Sequence, residues 1–183
     1  MKKIYLLPLT FVTLLLFASC TATAQNQTQS KDLKMQRILY FNPEVYPDVE
    51  EIKEPTYSAF YSAVSEKIGQ YRHFKMLRVD SQIAYDEQDP SLIKEFCHNN
   101  NAQFAVIPKV KYFKVGIGKY VFSNQVIVSM KLFDASGKFL AETDYDTYKK
   151  NARILGSAEN SIKIGTSGAM KNMAKTLTDL RKI

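Results

Sequence analysis

Residues 120–148 read YVFSNQVIVSMKLFDASGKFLAETDYDTY, and this stretch decides the fold. Apolar residues alternate with polar ones along its first half, at Phe122, Val126, Val128, Met130 and Leu132. A period of two is typical of a β-strand with one buried face. Asp134-Ala135-Ser136-Gly137 then supplies the residues of a tight turn, and 138–148 is β-prone again. The stretch therefore predicts an antiparallel hairpin.

A third strand precedes this hairpin. Residues 102–115 are rich in β-formers, and one face would carry Phe104, Val106, Val110 and Tyr112 together with Pro108. Because proline has no amide to donate, Pro108 predicts an edge strand, a bulge or a strand end. Gly116-Ile117-Gly118 would turn the chain into the next strand. Residues 102–148 thus predict a three-stranded meander.

The region before the meander alternates between strand and helix patterns. Short apolar runs at 38–41 and 74–79 predict strands, and an irregular connection through Pro43 and Pro47 follows the first. A helical stripe predicts a helix that starts at Pro55, and Asp89-Pro90 is typical of the start of a second helix. Such an order is that of the crossover units that build parallel strands.

A helix is also predicted over 157–180, with one apolar stripe and two glycines, Gly165 and Gly168. Each glycine costs about 1 kcal/mol in a helix interior relative to alanine. They therefore predict either a later helix start or a close approach to a neighbouring element. The complete pattern is β-α-β-α-β-β-β-α, which predicts an α+β fold with a mixed five-stranded sheet and three helices.

Residues 1–24 have the three parts of an export signal. Lys2 and Lys3 are followed by an apolar core over 5–17 and then by small and polar residues. The core is shorter than the roughly 20 residues that a transmembrane helix needs. We therefore predict a signal peptide at 1–24, a flexible tether at 25–34 and a single domain at 35–183.

Two cleavage sites fit the end of the signal. Phe17-Ala18-Ser19-Cys20 resembles a lipobox, which would be cut before a lipid-modified Cys20 and would leave a polar tether. Ala22-Thr23-Ala24 is an A-x-A site, which would release a chain starting at Gln25. We favour the lipobox, and Cys20 is the lipidation candidate.

Charge and cysteine content narrow the function classes. The formal charge is +7, and it becomes +5 without Lys2 and Lys3 because the signal carries no acid. Export makes nucleic acid an unsuitable partner for this modest positive charge. Cys97 is the one cysteine after the tether, so the domain has no internal disulfide. Its apolar surroundings predict a buried, unreactive thiol.

We identify no catalytic, cofactor-binding or metal-binding motif in the sequence. His73 and His98 have no second ligand at chelating spacing. Glu142, Asp144 and Asp146 alternate along one strand, as carboxylates of an acid-base or calcium site would. The same spacing fits a solvent-facing strand, which is the interpretation we favour.

The most promising surface is the turn between the first two strands of the meander. Tyr112, Lys114, Lys119 and Tyr120 place aromatic rings among basic side chains there. Such mixtures bind sugars, polyanions or single-stranded nucleic acid, although lysines also protect edge strands. These four residues are the candidate contact surface.

The order of the elements resembles a family of envelope lipoprotein domains. The segments that carry the likeness are 101–107, 126–138 and the late helix with its small residues. Together they look like the α/β domain shared by the penicillin-binding-protein activator LpoB, the curli secretion lipoprotein CsgG and the amino-terminal domain of TolB. The resemblance implies that fold and a non-enzymatic role, and it assigns no functional residue.

Three functions follow as expectations. The first is an exported, lipid-anchored, non-catalytic envelope accessory protein that contacts an envelope protein or an anionic envelope polymer. It would lie at the periplasmic face of the outer membrane, or be free in the periplasm or secreted if Cys20 is not acylated. The alternative is a periplasmic small-ligand carrier, which needs an apolar pocket between helices and sheet. An enzyme of unknown class is third.

Overall fold

The predicted fold class is confirmed: the protein has three helices and a mixed, open β-sheet. The computed structural model describes residues 35–114, 122–149 and 157–180, and the side chains of 114, 122–124 and 177–180 lie outside that description. The helices are α1 (Glu50–Ile68), α2 (Pro90–Asn99) and α3 (Ala158–Leu180). The strands are β1 (Gln36–Phe41), β2 (Glu44–Tyr46), β3 (Phe74–Val79), β4 (Phe104–Lys114), β5 (Phe122–Asp134) and β6 (Phe139–Asp146).

The strands lie in the order β3-β1-β4-β5-β6, and β2 pairs with β4 beyond the end of β1. β1 is parallel to both β3 and β4, whereas β4, β5 and β6 form the predicted antiparallel meander. The short strand β2 lies where an irregular connection was predicted. Val45 is buried beside its partner Val110, and Tyr46 precedes a proline, which favours extended backbone.

Pro108 corrects a second prediction, since it lies in the middle of a central strand. It pairs with Met130 of β5 on one side. On the other side, the ladder with β1 ends at Val106 and the ladder with β2 begins at Lys109. Pro108 therefore lies at the point along β4 where the neighbouring strand changes from β1 to β2.

The helix starts are only partly as predicted. α1 begins at Glu50, five residues before Pro55, and Pro55 lies inside the helix. The acidic Glu50 and Glu51 occupy the first turn, where they interact favourably with the helix dipole. α2 begins as predicted: the Asp89 carboxylate accepts a hydrogen bond of 2.8 Å from the Ser91 amide.

Two hydrophobic clusters hold the layers together. The larger cluster joins α1 and α3 to one face of the sheet, which we call the inner face; it includes Phe60, Val106 and Met130. The smaller cluster lies on the opposite, outer face, where α2 and residues 80–89 cover part of the sheet. Cys97 belongs to this smaller cluster and is 1% exposed, as predicted.

Residues Lys34–Ile183 form one compact unit. Within the described part of that unit, no helix combines the length and the apolar character that a membrane span requires.

Candidate functional site

An apolar cavity of about 250 Å³ lies between the inner face of the sheet and the two helices that cover it. Its floor comes from alternate residues of neighbouring strands, which point to the same face because side chains alternate along a strand. These floor residues are Ile38, Tyr40, Phe74, Phe104, Val106 and Leu132. The cavity thus lies over the β3-β1-β4-β5 part of the sheet.

The walls come from the carboxyl end of α1 and from the second half of α3. Ile68 is the last residue of α1, and Tyr71 follows it. Met170, Met173 and Ala174 face them from α3. Tyr71 is 38% exposed whereas Val106 and Leu132 are almost fully buried, so the cavity runs from the surface near Tyr71 to the sheet.

The lining is chemically uniform. All of its residues are aliphatic, aromatic or methionine, and none carries a charge. Within the described part of the chain, its side-chain oxygens are two hydroxyls, those of Tyr40 and Tyr71. Among the described residues, the lining contains no carboxylate, imidazole, amine or thiol.

A polar cluster lies on the outer face of the sheet, around Tyr85. The Tyr85 hydroxyl donates a hydrogen bond of 2.8 Å to Glu142 Oε1. The backbone carbonyl of Tyr85 accepts a hydrogen bond of 2.8 Å from Lys131 Nζ. Lys109 Nζ lies 2.9 Å from Glu44 Oε1 and 3.0 Å from Asp86 Oδ2. These contacts hold residues 80–89 on the outer face. The polar groups of the cluster pair with one another.

These contacts shift the pKa values of the cluster. Burial, followed by the hydrogen bond to Glu142, raises the pKa of Tyr85 well above its usual range. The hydrogen bond from Lys109 lowers the pKa of the Asp86 carboxyl. Tyr85 therefore stays neutral and Asp86 stays charged across the physiological range, which keeps the cluster intact.

The candidate contact surface is only partly within the described residues. Tyr112 is 5% exposed, and its hydroxyl lies 2.6 Å from Thr56 Oγ1 of α1. It belongs to the larger core, so its inclusion in a contact surface is corrected. The side chain of Lys114 and the whole of Lys119 and Tyr120 lie outside the described residues, as does the lipidation candidate Cys20.

The alternating carboxylates of β6 do not form a joint site. Glu142 and Asp144 are exposed, whereas Asp146 is 8% exposed. Asp146 Oδ1 accepts hydrogen bonds from the amides of Tyr148 and Lys149, and so it closes the turn after β6. Among residues 35–114, 122–149 and 157–180, no three His, Cys, Asp or Glu side chains are placed to hold a metal ion.

Sequence reasoning placed the cavity residues in strands and helices without finding the cavity. Ile38 and Tyr40 lie in a predicted strand, and Met173 lies on the predicted stripe of the last helix. The space between α1 and α3 depends on how far the helices stand apart near Tyr71, which no local pattern encodes. The available sequence signal for a cavity was the pair Met170 and Met173 opposite aromatic residues, because methionine side chains often fill irregular space in a core.

Comparisons with known proteins assign this chain to no family. No protein-family model matches the chain. No curated protein matches it either.

Solved structures share a distant likeness. The PelC dodecamer from Paraburkholderia phytofirmans is 10% identical, with a TM-score of 0.45 over 74% of this chain and 85% of that one. Lipoprotein GNA1162 from Neisseria meningitidis is 11% identical, with a TM-score of 0.40 over 76% of this chain and 99% of that one. Likeness at this level carries no conclusion about function. The resemblance to the LpoB, CsgG and TolB domains stays a prediction.

Proposed function

We propose that the protein is an exported, non-catalytic envelope protein that binds a small apolar molecule in the cavity between α1, α3 and the sheet. One observation carries the binding role: aliphatic, aromatic and methionine side chains line a cavity of about 250 Å³. The export signal at 1–24 and the lipobox at Cys20 support the envelope location. The small-ligand carrier, the second expectation from the sequence, thereby becomes the first.

The size of the cavity limits the ligand. An apolar cavity of about 150 Å³ holds benzene in another protein, so one of about 250 Å³ suits roughly ten non-hydrogen atoms. Most drug-sized pockets are larger, at about 300–1,000 Å³. A filled cavity also restores dispersion contacts that its lining otherwise lacks. The ligand is therefore a small, largely apolar molecule.

Nuclear magnetic resonance of methionine methyl groups tests this proposal, with cumene as the probe. Met170 and Met173 line the cavity, whereas Met130 is buried in the same core away from it. Binding of cumene is expected to shift the methyl signals of Met170 and Met173 in a saturable way and to leave Met130 nearly unchanged.

Two variants of α3 sharpen the test. Ala174→Leu adds apolar volume to the cavity wall and is expected to abolish the cumene shifts. Lys171→Leu adds a leucine to the exposed side of the same helix and is the matched control. Absence of saturable shifts in the unaltered protein would contradict the binding role, as would equal binding by Ala174→Leu.

A second candidate function rests on the outer face of the sheet. Tyr46 and Tyr148 are 49% and 52% exposed there; Lys111 Nζ lies 5.7 Å from the Tyr46 ring, and Phe113 lies 6.1 Å from the Tyr148 ring. Aromatic rings beside a lysine suit the envelope protein or anionic envelope polymer expected from the sequence.

Co-sedimentation with purified anionic cell-wall polymer tests this role. Lys111→Ala and Tyr46→Ala are expected to weaken a salt-sensitive association, and the exposed Lys94→Ala on α2 serves as a control. Binding that all three variants leave unchanged would exclude this face as the contact surface.

A further inference from the structure

The hydroxyl of Tyr40 is the deeper of the two tyrosine hydroxyls that line the cavity. Tyr40 is 3% exposed, lines the cavity and has its ring 6.4 Å from that of Phe60. Its hydroxyl makes no hydrogen bond to any residue in the described part of the chain, and burial alone raises its pKa. It is therefore a protonated donor that has no acceptor among the described residues.

Three other buried tyrosines of the same domain differ in this respect, whereas the hydroxyl of Tyr57, which does not line the cavity, also makes no hydrogen bond among the described residues. The Tyr61 hydroxyl donates to Asn42 Oδ1 at 2.9 Å, and the Tyr85 hydroxyl donates to Glu142 at 2.8 Å. The Tyr112 hydroxyl lies 2.6 Å from Thr56 Oγ1. Unlike Ser81 Oγ and Thr166 Oγ1, the Tyr40 hydroxyl is not sealed off from the cavity space, so it is open to a partner from outside the chain.

The surroundings of Tyr40 define that partner. An acceptor oxygen is needed because a tyrosine hydroxyl at neutral pH is a hydrogen-bond donor. Among the described residues no cation lines the cavity, so they offer a carboxylate or phosphate no countercharge, and burying one there would be costly. The remaining choice is an uncharged oxygen on an otherwise apolar molecule.

We infer that the cavity takes a small, uncharged carbonyl compound of roughly ten non-hydrogen atoms, whose oxygen accepts a hydrogen bond from the Tyr40 hydroxyl. This inference rests on the proposed ligand-binding function. To that function the inference adds a specificity-determining residue. The apolar lining supplies affinity, and Tyr40 selects a ligand that carries an oxygen and sets the ligand's orientation.

A pair of isosteric probes separates this inference from the function on which it rests. Acetophenone and cumene have the same skeleton, with a carbonyl oxygen in place of a methyl group. Both are titrated against the full mature protein and against Tyr40→Phe, with the methyl signals of Met170 and Met173 as the readout. Tyr40→Phe keeps the ring and removes only the donor, so the fold is expected to survive.

The expected result is selective. Tyr40→Phe should weaken acetophenone about tenfold, the loss of one net hydrogen bond, and leave cumene unchanged or slightly tighter. Tyr71→Phe is the matched control, since Tyr71 also lines the cavity but is 38% exposed and its hydroxyl is not confined. It should change neither affinity by more than about twofold, within the scatter of exposed substitutions.

Each other outcome overturns a different statement. If cumene and acetophenone both bind and Tyr40→Phe affects them equally, the cavity is a binding site but Tyr40 does not select a carbonyl. 1-Phenylethanol, which has a hydroxyl in place of the carbonyl oxygen, is titrated in the same way. If its binding depends on Tyr40 and that of acetophenone does not, the ligand is an alcohol and the carbonyl assignment is wrong. If neither probe binds, the proposed function fails as well.

Discussion

Gly168 of α3 lies directly against the ring of Tyr145 in β6. A Cβ atom built on Gly168 would overlap that ring, and one built on Gly165 would lie 2.7 Å from Val128 Cγ2. Both glycines therefore allow α3 to approach β5 and β6 closely. This confirms the closer-packing alternative that the two helical glycines suggested, because the close approach compensates for their low helix propensity.

Gly168→Ala tests this contact. The substitution gains about 1 kcal/mol of helix propensity and loses roughly 1–3 kcal/mol through overpacking, so we expect net destabilisation of up to about 2 kcal/mol. Urea unfolding followed by circular dichroism measures it. Gly69→Ala is the control, because its Cβ would lie 3.3 Å from Ser65 O with no ring in the way. Tyr145→Ala in the Gly168→Ala background should recover part of the loss, and no recovery would refute the ring clash.

Tyr112→Ala is expected to destabilise the domain by about 3–5 kcal/mol, as other buried aromatic truncations do. The reason is that its ring belongs to the larger core and its hydroxyl pairs with Thr56. Tyr148→Ala, at a 52% exposed position, should change stability by no more than about 0.5 kcal/mol. Equal effects in thermal unfolding would show that Tyr112 is not a core residue.

Tyr85→Phe should loosen the outer face without disturbing the inner one. It removes the hydrogen bond to Glu142, at an expected cost of about 1 kcal/mol. Hydrogen exchange is the suitable measurement: amides of residues 80–89 should exchange faster, and those of α1 should not. Faster exchange throughout the domain would instead indicate a global effect.

Alkaline pH should destabilise the folded state. Burial raises the pKa of Tyr40 and Tyr61 well above the usual 10.0, and raises that of the Cys97 thiol from 9.0 to about 11. The folded state therefore holds protons that the unfolded state releases. The corresponding stability is fully present below about pH 9 and is lost as the pH rises, by up to about 1.4 kcal/mol per pH unit for each tyrosine above pH 10.

Urea midpoints between about pH 8 and about pH 11 measure this loss. Tyr40→Phe is a clean control, because its hydroxyl has no hydrogen-bond partner among the described residues and only its ionisation is removed. Its stability should fall less steeply above about pH 10. A pH-independent midpoint would contradict the buried, neutral state of these groups.

The mature amino terminus should be an acylated Cys20. Mass spectrometry of protein isolated from its own envelope distinguishes this from a start at Gln25. Cys20→Ser should abolish acylation and shift the protein from the membrane fraction. A start at Gln25 in the unaltered protein would exclude the lipid anchor and leave a free exported domain.

Local patterns predicted the parts of the fold that depend on local chemistry. The alternation of Val126, Val128 and Met130 matches their burial, and Asp134 accepts hydrogen bonds from Ser136 and Lys138 in the predicted turn. Elements that depend on distant partners were missed. β2 is stabilised as a strand by pairing with β4, and α1 extends to Glu50 although Pro55 is typical of a helix start.

The candidate site was predictable only in its components. The same alternation that predicted the inner face of β4 already grouped Tyr112 with Val106 and Val110, and this was the signal against its use as a contact residue. Tyr40 was recognisable as a strand residue, but its missing hydrogen-bond partner depends on every element around it. Such a deficit becomes visible only when the helices are placed against the sheet.

Cys97 has a further use that follows from its place in the smaller core. It is the only thiol in residues 35–183, and a thiol reagent attacks the thiolate, which is scarce while the group is buried with a pKa of about 11. Labelling thus requires α2 to separate from the sheet. Its rate in native buffer, compared with the rate of global unfolding, would report how often that one layer opens by itself.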